Sequence, residues 1–388
     1  MVHPLQRFQT WFLEKRQVFF DWFSSDQSKH QEPENSLSEL PPPLLEKLIA
    51  TLQKLPSHPA SQDAIHSALD QALEQWRSHP LPANNSIVIL SSPVTAVSRL
   101  LTDCSEHWAT QQQIPIRLLE WIGRPDASAT IQTKLQQQLG RGLSPTASGQ
   151  LEVVVIPNLS WCFLRSVDGL TGIDYLQDML LPDASRFWVL GSGQVAWQYL
   201  KAVCHLEAYC GETLFLPKLK GEQLQNWLRG IVSQFDLQFD QFGNNASQQK
   251  EDANPETHYF EQLAAVSKGV STVAIQVFLR SISYESRSEK SEAVGILKGR
   301  TPTLPNLPDT DEDDDYLLYS LLLHDGITLA GLAESLGDEP STLKYQIQEL
   351  RQAGLIEQHD QMLRINPIHY PHLKRKLAVN NFAIDSPE

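Results

Sequence analysis

Through the middle of the chain, short runs of consecutive apolar residues alternate with stretches in which apolar residues recur every three or four positions. The runs are Ser86–Leu90 (SIVIL), Ile116–Trp121 (IRLLEW), Leu151–Ile156 (LEVVVI), Arg186–Leu190 (RFWVL) and Glu212–Leu216 (ETLFL). Runs of this length predict strands buried on both faces. Helical spacing between them predicts crossover helices over Val94–Gln111, Ala127–Leu139, Ile173–Leu180 and Val195–Val203. Parallel strands need such crossovers, so the expected fold class is α/β: a five-stranded parallel sheet with helices on both faces.

The flanking regions read differently. Leu44–Trp76 carries apolar residues at helical spacing (Leu48, Leu52, Leu55, then Ile65, Leu69, Leu73, Trp76) and predicts two amphipathic helices. Beyond Pro217 the pattern turns helical over Gly221–Phe235 and His258–Tyr284, interrupted by the polar loop Gly243–Pro255. A stretch from Glu285 then ends in the acidic run Asp309–Asp315, whose like charges repel and favour a solvated linker. Three short helices follow, Tyr316–His324, Leu329–Leu336 and Ser341–Ala353, and then a hairpin near Met362–Ile365. Helix–helix–helix–hairpin is the winged-helix pattern. The organisation expected is an aromatic helix over 1–23, a linker over 24–43, an α/β core with its leading helices over 44–217, a helical domain over 218–284, an acidic linker over 285–315 and a winged helix over 316–388.

Composition narrows the class. A chain of 388 residues with 41% hydrophobic content suits two or three globular domains. No apolar run reaches the ~20 residues that span a bilayer. The segment Met1–Phe23 is broken by Arg7, Glu14, Lys15, Arg16 and Asp21, unlike the apolar core of a signal peptide. Cys104, Cys162, Cys204 and Cys210 are scattered through apolar segments, which fits a reducing, cytoplasmic setting. A formal charge of −15 argues against a protein built mainly to grip nucleic acid.

The loop after Ser86–Leu90, the end of LEVVVI at Pro157-Asn158, the strand RFWVLGSG (Arg186–Gly193) and the helical segment Leu263–Phe278 (LAAVSKGVSTVAIQVF) follow one another in a telling order. That order resembles the P-loop ATPases of the AAA+/STAND group. The resemblance spans about Asn84–Phe382 and implies a P-loop-type sheet, a helical lid domain and a C-terminal winged helix. It assigns the phosphate loop to Ser91–Ser98 and the Walker B position to Pro157 and Asn158.

The chemistry such sites need is missing from these positions. A phosphate loop uses glycines to turn backbone N–H groups toward phosphate, a Lys for the terminal phosphates and a Ser or Thr for Mg²⁺. Ser91, Ser92, Pro93 and the residues that follow include no glycine and no lysine, Pro93 has no N–H to offer, and Ser98 alone resembles the metal-binding hydroxyl. Pro157 and Asn158 supply no carboxylate. The expectation is no catalytic residue, no cofactor and no ATPase activity.

Other candidates are weaker. Gly191-Ser192-Gly193 lacks the third glycine of a dinucleotide loop, because position 196 is Ala, and reads as a tight strand–helix turn. Cys204, His205 and Cys210 lack the spacing and the second ligand pair of a zinc site. The aromatic residues Phe8, Trp11, Phe12, Phe19, Phe20, Trp22 and Phe23 leave three readings open: packing on the chain's own body, docking on a partner, or peripheral membrane contact. In the last domain Lys344 and the cluster Lys374, Arg375, Lys376 are the residues able to meet phosphate, yet acidic side chains outnumber basic ones from Tyr316 onward. Protein partners are therefore favoured over nucleic acid. The function expected is a non-catalytic scaffold or regulatory adaptor acting through protein–protein contacts. Its rivals are a weakly nucleotide-responsive STAND-type switch and a winged-helix DNA-binding regulator.

Overall fold

A computed structural model describes residues 40–78, 85–121, 123–125, 127–140, 152–180, 186–239, 254–285 and 296–384. The aromatic segment 1–23 and most of the linker expected over 24–43 lie outside the described residues. The described chain divides into two compact units, one drawn from 40–60, 218–307 and 367–371, the other from 61–217, 308–366 and 372–384.

The larger unit holds a five-stranded sheet in the order β2-β3-β4-β1-β5. Its strands are β1 (Ser86–Ser91), β2 (Ile116–Leu118), β3 (Glu152–Ile156), β4 (Arg186–Gly193) and β5 (Glu212–Phe215). Every pairing is parallel. The α/β class and the all-parallel sheet expected from the apolar runs are thus present. β1 and β4 are buried at every position, as central strands covered on both faces must be. One face carries Ile87, Ile89, Val153, Val155, Phe187 and Val189, packed under α2 (Pro59–Ser78) and α3 (Val97–Gln112). Trp76 and Trp108 flank Phe187 there, with ring centroids 5.6 and 6.5 Å away. Trp108 also donates its indole N–H to Asp70 at 2.7 Å, tying α3 to α2. The alternate residues Val88, Leu90, Val154, Trp188 and Leu190 point the other way and are equally buried. The remaining crossover helices are α4 (Ile131–Leu139), α5 (Thr171–Leu180) and α6 (Gln194–Cys204).

The same unit includes a C-terminal module. Its elements are α10 (Glu312–His324), β9 (Ile327–Thr328), α11 (Leu329–Leu336), α12 (Pro340–Gln352), β10 (Ile356–His359), β11 (Met362–Ile365) and α13 (Tyr370–Val379). β11 pairs antiparallel with both β10 and β9. The acidic run does not behave as the expected linker. Asp311 caps α10 and forms a reciprocal capping box with Asp314, so the carboxylates of Glu312, Asp313, Asp314 and Asp315 lie in the first turn. There the positive end of the helix dipole offsets their mutual repulsion. Asp315 is buried and is held by Lys376 at 2.8 Å and Asn380 at 2.7 Å.

The smaller unit contains α1 (Pro42–Gln53), α7 (Gly221–Gln234), α8 (Pro255–Val266) and α9 (Ser271–Arg280). α1 was expected to lead the α/β core, but it packs on α7 instead. Its buried residues are Leu45, Leu48 and Leu52, and the Lys47 ammonium lies 5.7 Å from the Phe235 ring centre. The chain leaving α1 is fastened there too, by the Trp227 indole N–H donating to the Pro56 carbonyl at 3.0 Å. A three-stranded sheet of order β6-β8-β7, with β6 (Gln238–Phe239), β7 (Ile282–Glu285) and β8 (Ile296–Gly299), stands where helix and linker were expected.

Candidate functional site

Strand order locates the crevice. The connection from β1 runs past β4 and β3 to the edge strand β2, whereas the connection from β4 crosses to β5 on the opposite side of β1. The connections leaving the adjacent strands β1 and β4 therefore run in opposite directions, and in such sheets the crevice between their carboxyl ends is where ligands bind. The loop Ser92–Ala96 and the end of β4 form this crevice. Ser91 and Gly193 stand opposite each other in the register.

Two amides at this loop are engaged within it. Thr95 N–H donates to the Ser92 carbonyl at 2.9 Å, and Val97 N–H donates to the Thr95 carbonyl at 2.8 Å. Both amides are thereby used inside the loop. Buried Pro93 faces Gly193, where a Cβ would meet the Pro93 Cα at 3.4 Å. The Ser91 hydroxyl turns back to the Ser92 carbonyl at 3.1 Å, and the Ser92 hydroxyl is buried without a hydrogen-bond partner among the described residues. Ser98 sits in the first turn of α3, and its carbonyl accepts from the Thr102 hydroxyl at 2.9 Å. Gly191-Ser192-Gly193 is the end of β4 itself and runs straight into α6, with no intervening turn. Gly191 is required by close approach: a Cβ there would fall 2.2 Å from the Pro157 carbonyl oxygen.

At the end of β3, Pro157 and Asn158 are buried. The Asn158 side chain caps the 3-10 turn Leu159–Trp161 by accepting from Ser160 N–H at 3.0 Å. Its amide nitrogen donates to Asp325 Oδ2 at 2.6 Å. Asp325 belongs to the corner between α10 and β9, so the end of β3 is joined directly to the C-terminal module.

Further polar contacts surround that joint. Arg124, which follows β2, donates from Nη2 to the Ser160 carbonyl at 2.5 Å, to His324 Nδ1 at 2.9 Å and to the His324 carbonyl at 3.3 Å. The His324 ring lies 5.2 Å from Phe163, and its Nε2 is 3.3 Å from the Ser335 hydroxyl. Arg165 donates to the Ser335 carbonyl at 3.3 Å. The hydroxyls of Ser128 and Ser166 both donate to Glu334, at 2.5 and 3.1 Å. An arginine only donates hydrogen bonds, so Nδ1 of His324 presents a lone pair to Arg124 and the ring is neutral, while the Arg165 backbone N–H and the Ser335 hydroxyl stand 3.5 and 3.3 Å from Nε2.

The electrostatics follow from burial. Desolvation, aided by Arg124 and Arg165, pushes His324 well below its ordinary value. Desolvation also raises Asp325 to about 6, against the pull of Arg364, Asn158 and Arg124. Arg124 is lowered to about 9 by the same desolvation.

None of Arg124, Arg165, His324, Asp325 or Glu334 stood out in the sequence. The available signal was His324-Asp325-Gly326 directly after the leucine run of α10, a polar trio ending a helix that is buried nearly all round. Of the cationic residues singled out there, Lys344 and Arg375 are exposed, and Lys374 is partly buried. Lys376 is turned inward. It pairs with Asp315 and donates to the Thr310 carbonyl at 2.7 Å, which removes it from the phosphate-facing set. Trp11, Phe12, Phe19, Phe20, Trp22 and Phe23 lie outside the described residues. Among those residues, no three His, Cys, Asp or Glu side chains are placed to share a metal, and no helix is long and apolar enough to cross a membrane.

No family model matches the chain. No curated protein matches it either. Among solved structures it is similar to the Aeropyrum pernix ORC2 protein, at 12% identity over 81% of this chain and 94% of that one, with a TM-score of 0.35. It is similar to a Thermotoga maritima RuvB mutant, at 18% identity over 88% and 99% of the two chains, with a TM-score of 0.31. It is also similar to Cdc6p from Pyrobaculum aerophilum, at 14% identity over 85% and 96%, with a TM-score of 0.30.

Proposed function

We propose that this chain is a non-catalytic scaffold or regulatory adaptor with a pseudo-ATPase core of AAA+/STAND type, acting in the cytoplasm through protein–protein contacts. The observation that carries the reading is the Asn158–Asp325 hydrogen bond at the end of β3. The position where a Walker B carboxylate would hold a metal is spent on fastening the C-terminal module. The β1–α3 loop supports the same reading, since Pro93 fills the space beside Gly193 and the loop's own carbonyls absorb two of its amides. A phosphate nest needs those amides free and a cation beside them. In this reading the core is a rigid mount for the C-terminal module, a winged helix whose outward surface on α12, around Lys344, Tyr345 and Gln348, meets a protein.

Calorimetric titration of the full chain with Mg-ATP tests the core of the proposal, and no micromolar binding is expected. Micromolar binding would sink it in favour of the nucleotide-responsive switch. Polarisation assays with duplex DNA at physiological salt address the remaining rival. Nanomolar, steeply salt-dependent binding that is lost on changing Lys344, Lys374 and Arg375 would make the chain a DNA-binding regulator.

A further inference from the structure

The C-terminal module carries a groove that its joint with the sheet does not use. It lies between the first turns of α10 and the end of α13 and encloses about 620 Å³. Clefts of roughly 300–1,000 Å³ are the size that holds a ligand. Glu312, Tyr316 and Tyr319 stand at positions i, i+4 and i+7 of α10 and share the face that lines it. Val379 and Phe382 line it from the chain at the end of α13. The Phe382 ring meets both tyrosines, its centre 5.0 Å from that of Tyr316 and 5.1 Å from that of Tyr319. Tyr316 and Val379 nonetheless stay 47% and 72% exposed. Exposed large apolar side chains scattered singly need no explanation, but here two flank one groove with an aromatic floor, which marks a contact surface.

Charge then selects the occupant. The charged residues lining the groove are Asp311, Glu312, Asp315 and Lys376. Asp315 is buried and pairs with Lys376 at 2.8 Å, so the carboxylates of Asp311 and Glu312 on the rim have no cation against them among the described residues. The helix dipole places roughly half a positive charge at this end of α10, less than those two carboxylates carry. Lys374 and Arg375 come earlier on α13 and do not line the groove. The residues after Ile384 lie outside the described ones, and their charged members, Asp385 and Glu388, are acidic and bring no counter-charge. Aromatic rings beneath a carboxylate rim suit a cationic side chain, which meets ring face and carboxylate together. Nucleic acid and anionic lipid are repelled by the same rim.

We propose that this groove binds an extended basic segment of a partner protein, with an arginine or lysine laid on Tyr316 beside Glu312 and an apolar neighbour against Val379 and Phe382. It is a second surface of the module, separate from the one on α12. It shares with the adaptor reading only the premise that a protein is the partner. Micromolar Mg-ATP binding would defeat that reading and leave this groove's ligand unchanged, while failure here leaves the α12 surface standing.

Fluorescence polarisation of the full chain with two labelled decapeptides tests it, one alternating arginine with leucine, the other glutamate with leucine. The expected result is saturable, micromolar binding of the arginine peptide at physiological salt and none of the glutamate peptide. Changing Glu312→Gln and Tyr316→Ala together should weaken binding about tenfold, through loss of an exposed ion pair and a cation–π contact. Glu312→Gln alone, at an exposed position, should weaken it about threefold and keeps the test open should the double variant unfold. Tyr345→Ala with Glu349→Gln removes the same two residue types at the same spacing from the exposed face of α12 and should leave binding unchanged. No binding of the arginine peptide, equal binding of both peptides, or equal weakening by the α12 pair would each overturn the proposal. A dimer in light scattering that the groove variant dissolves would give the groove to a second copy of the chain and overturn it as well.

Discussion

The Arg364 side chain lies against the α-carbon of Gly326, where a Cβ would fall 2.6 Å from Nε and 2.9 Å from Cγ. Gly326 has φ of +94, and Asp325 before it has φ of +48. The corner that presents Asp325 to Asn158 therefore depends on a residue with no side chain, pressed by an arginine whose charge offsets that of Asp325. Gly326→Ala should destabilise the protein by ~2–4 kcal/mol, combining left-handed strain with displacement of Arg364. Equilibrium denaturation is the measurement. A loss below ~1 kcal/mol would show that the corner relaxes freely.

Asn158 is the second test of the joint. Asn158→Ala leaves the buried Asp325 carboxylate without its donor and should cost ~2–4 kcal/mol. Asn158→Asp places two carboxylates at hydrogen-bond distance, so one must hold a proton. That shared proton gives a raised folded-state value, hence stability present at low pH and lost as pH rises through it. The Asn158→Asp protein should therefore regain stability on acidification from pH 8 to pH 5 relative to the unaltered chain. Thermal melts across that range decide it, and a constant difference between the two proteins would contradict the assigned contact.

How much of this was open to reading in advance depends on the range of the interaction. Each strand of the large sheet is an apolar run of its own, so β1 through β5 were visible locally. β6 is only Gln238–Phe239, and β8 is the mixed segment Ile296–Gly299, too short and too polar to register before pairing makes them strands. Along the sequence the acidic run before α10 shows only its repulsion, because the capping box and the dipole act only once the helix exists. Pro93 and Asn158 were marked by what they lack. What Asn158 bonds to was not visible, since Asp325 lies 167 positions away and Arg124 lies 200 from His324. No local pattern encodes such pairs.

Thiol reactivity offers an independent check on burial. Cys104 and Cys162 are buried, and desolvation pushes their thiols up to about 11 and about 12. At pH 8 neither forms appreciable thiolate in the folded state, so a maleimide should reach them only at the rate of unfolding. Cys204 and Cys210 are half-buried, and desolvation raises Cys210 as well, to about 12. Mass-spectrometric labelling should show Cys204 and Cys210 modified slowly in the native protein, with Cys104 and Cys162 protected until denaturant is added. Early labelling of Cys162 would mean that the 3-10 turn beneath Asn158 opens on its own.

The adjoining pair His324 and Asp325 yields the last prediction, because their linkages to pH have opposite signs. His324 is depressed below its ordinary 6.5 by desolvation and the neighbouring guanidiniums, so the unfolded chain takes up its proton first. Its contribution is present in full above that ordinary value and is lost as pH falls beneath it. Asp325 is raised by desolvation from 3.8 to about 6, so the folded chain takes up its proton first. Its contribution is present at low pH and is lost as pH rises through about 6. From about pH 6 downward the folded chain binds a proton at Asp325 while the unfolded chain binds one at His324, and the two slopes cancel. Asp325→Asn removes the opposing half and should expose a loss of up to ~1.4 kcal/mol per pH unit as pH falls from about 6 toward about 4, relative to the unaltered protein. His324→Gln should expose the reverse, a gain of similar size per unit relative to the unaltered protein as pH falls below 6.5. Denaturant titrations of the three proteins at half-unit intervals give these slopes by difference, so that carboxylates elsewhere drop out. Parallel pH profiles for the two variants would show that the groups do not titrate as a compensating pair, and the neutral His324 assigned here from the Arg124 contact would have to be abandoned.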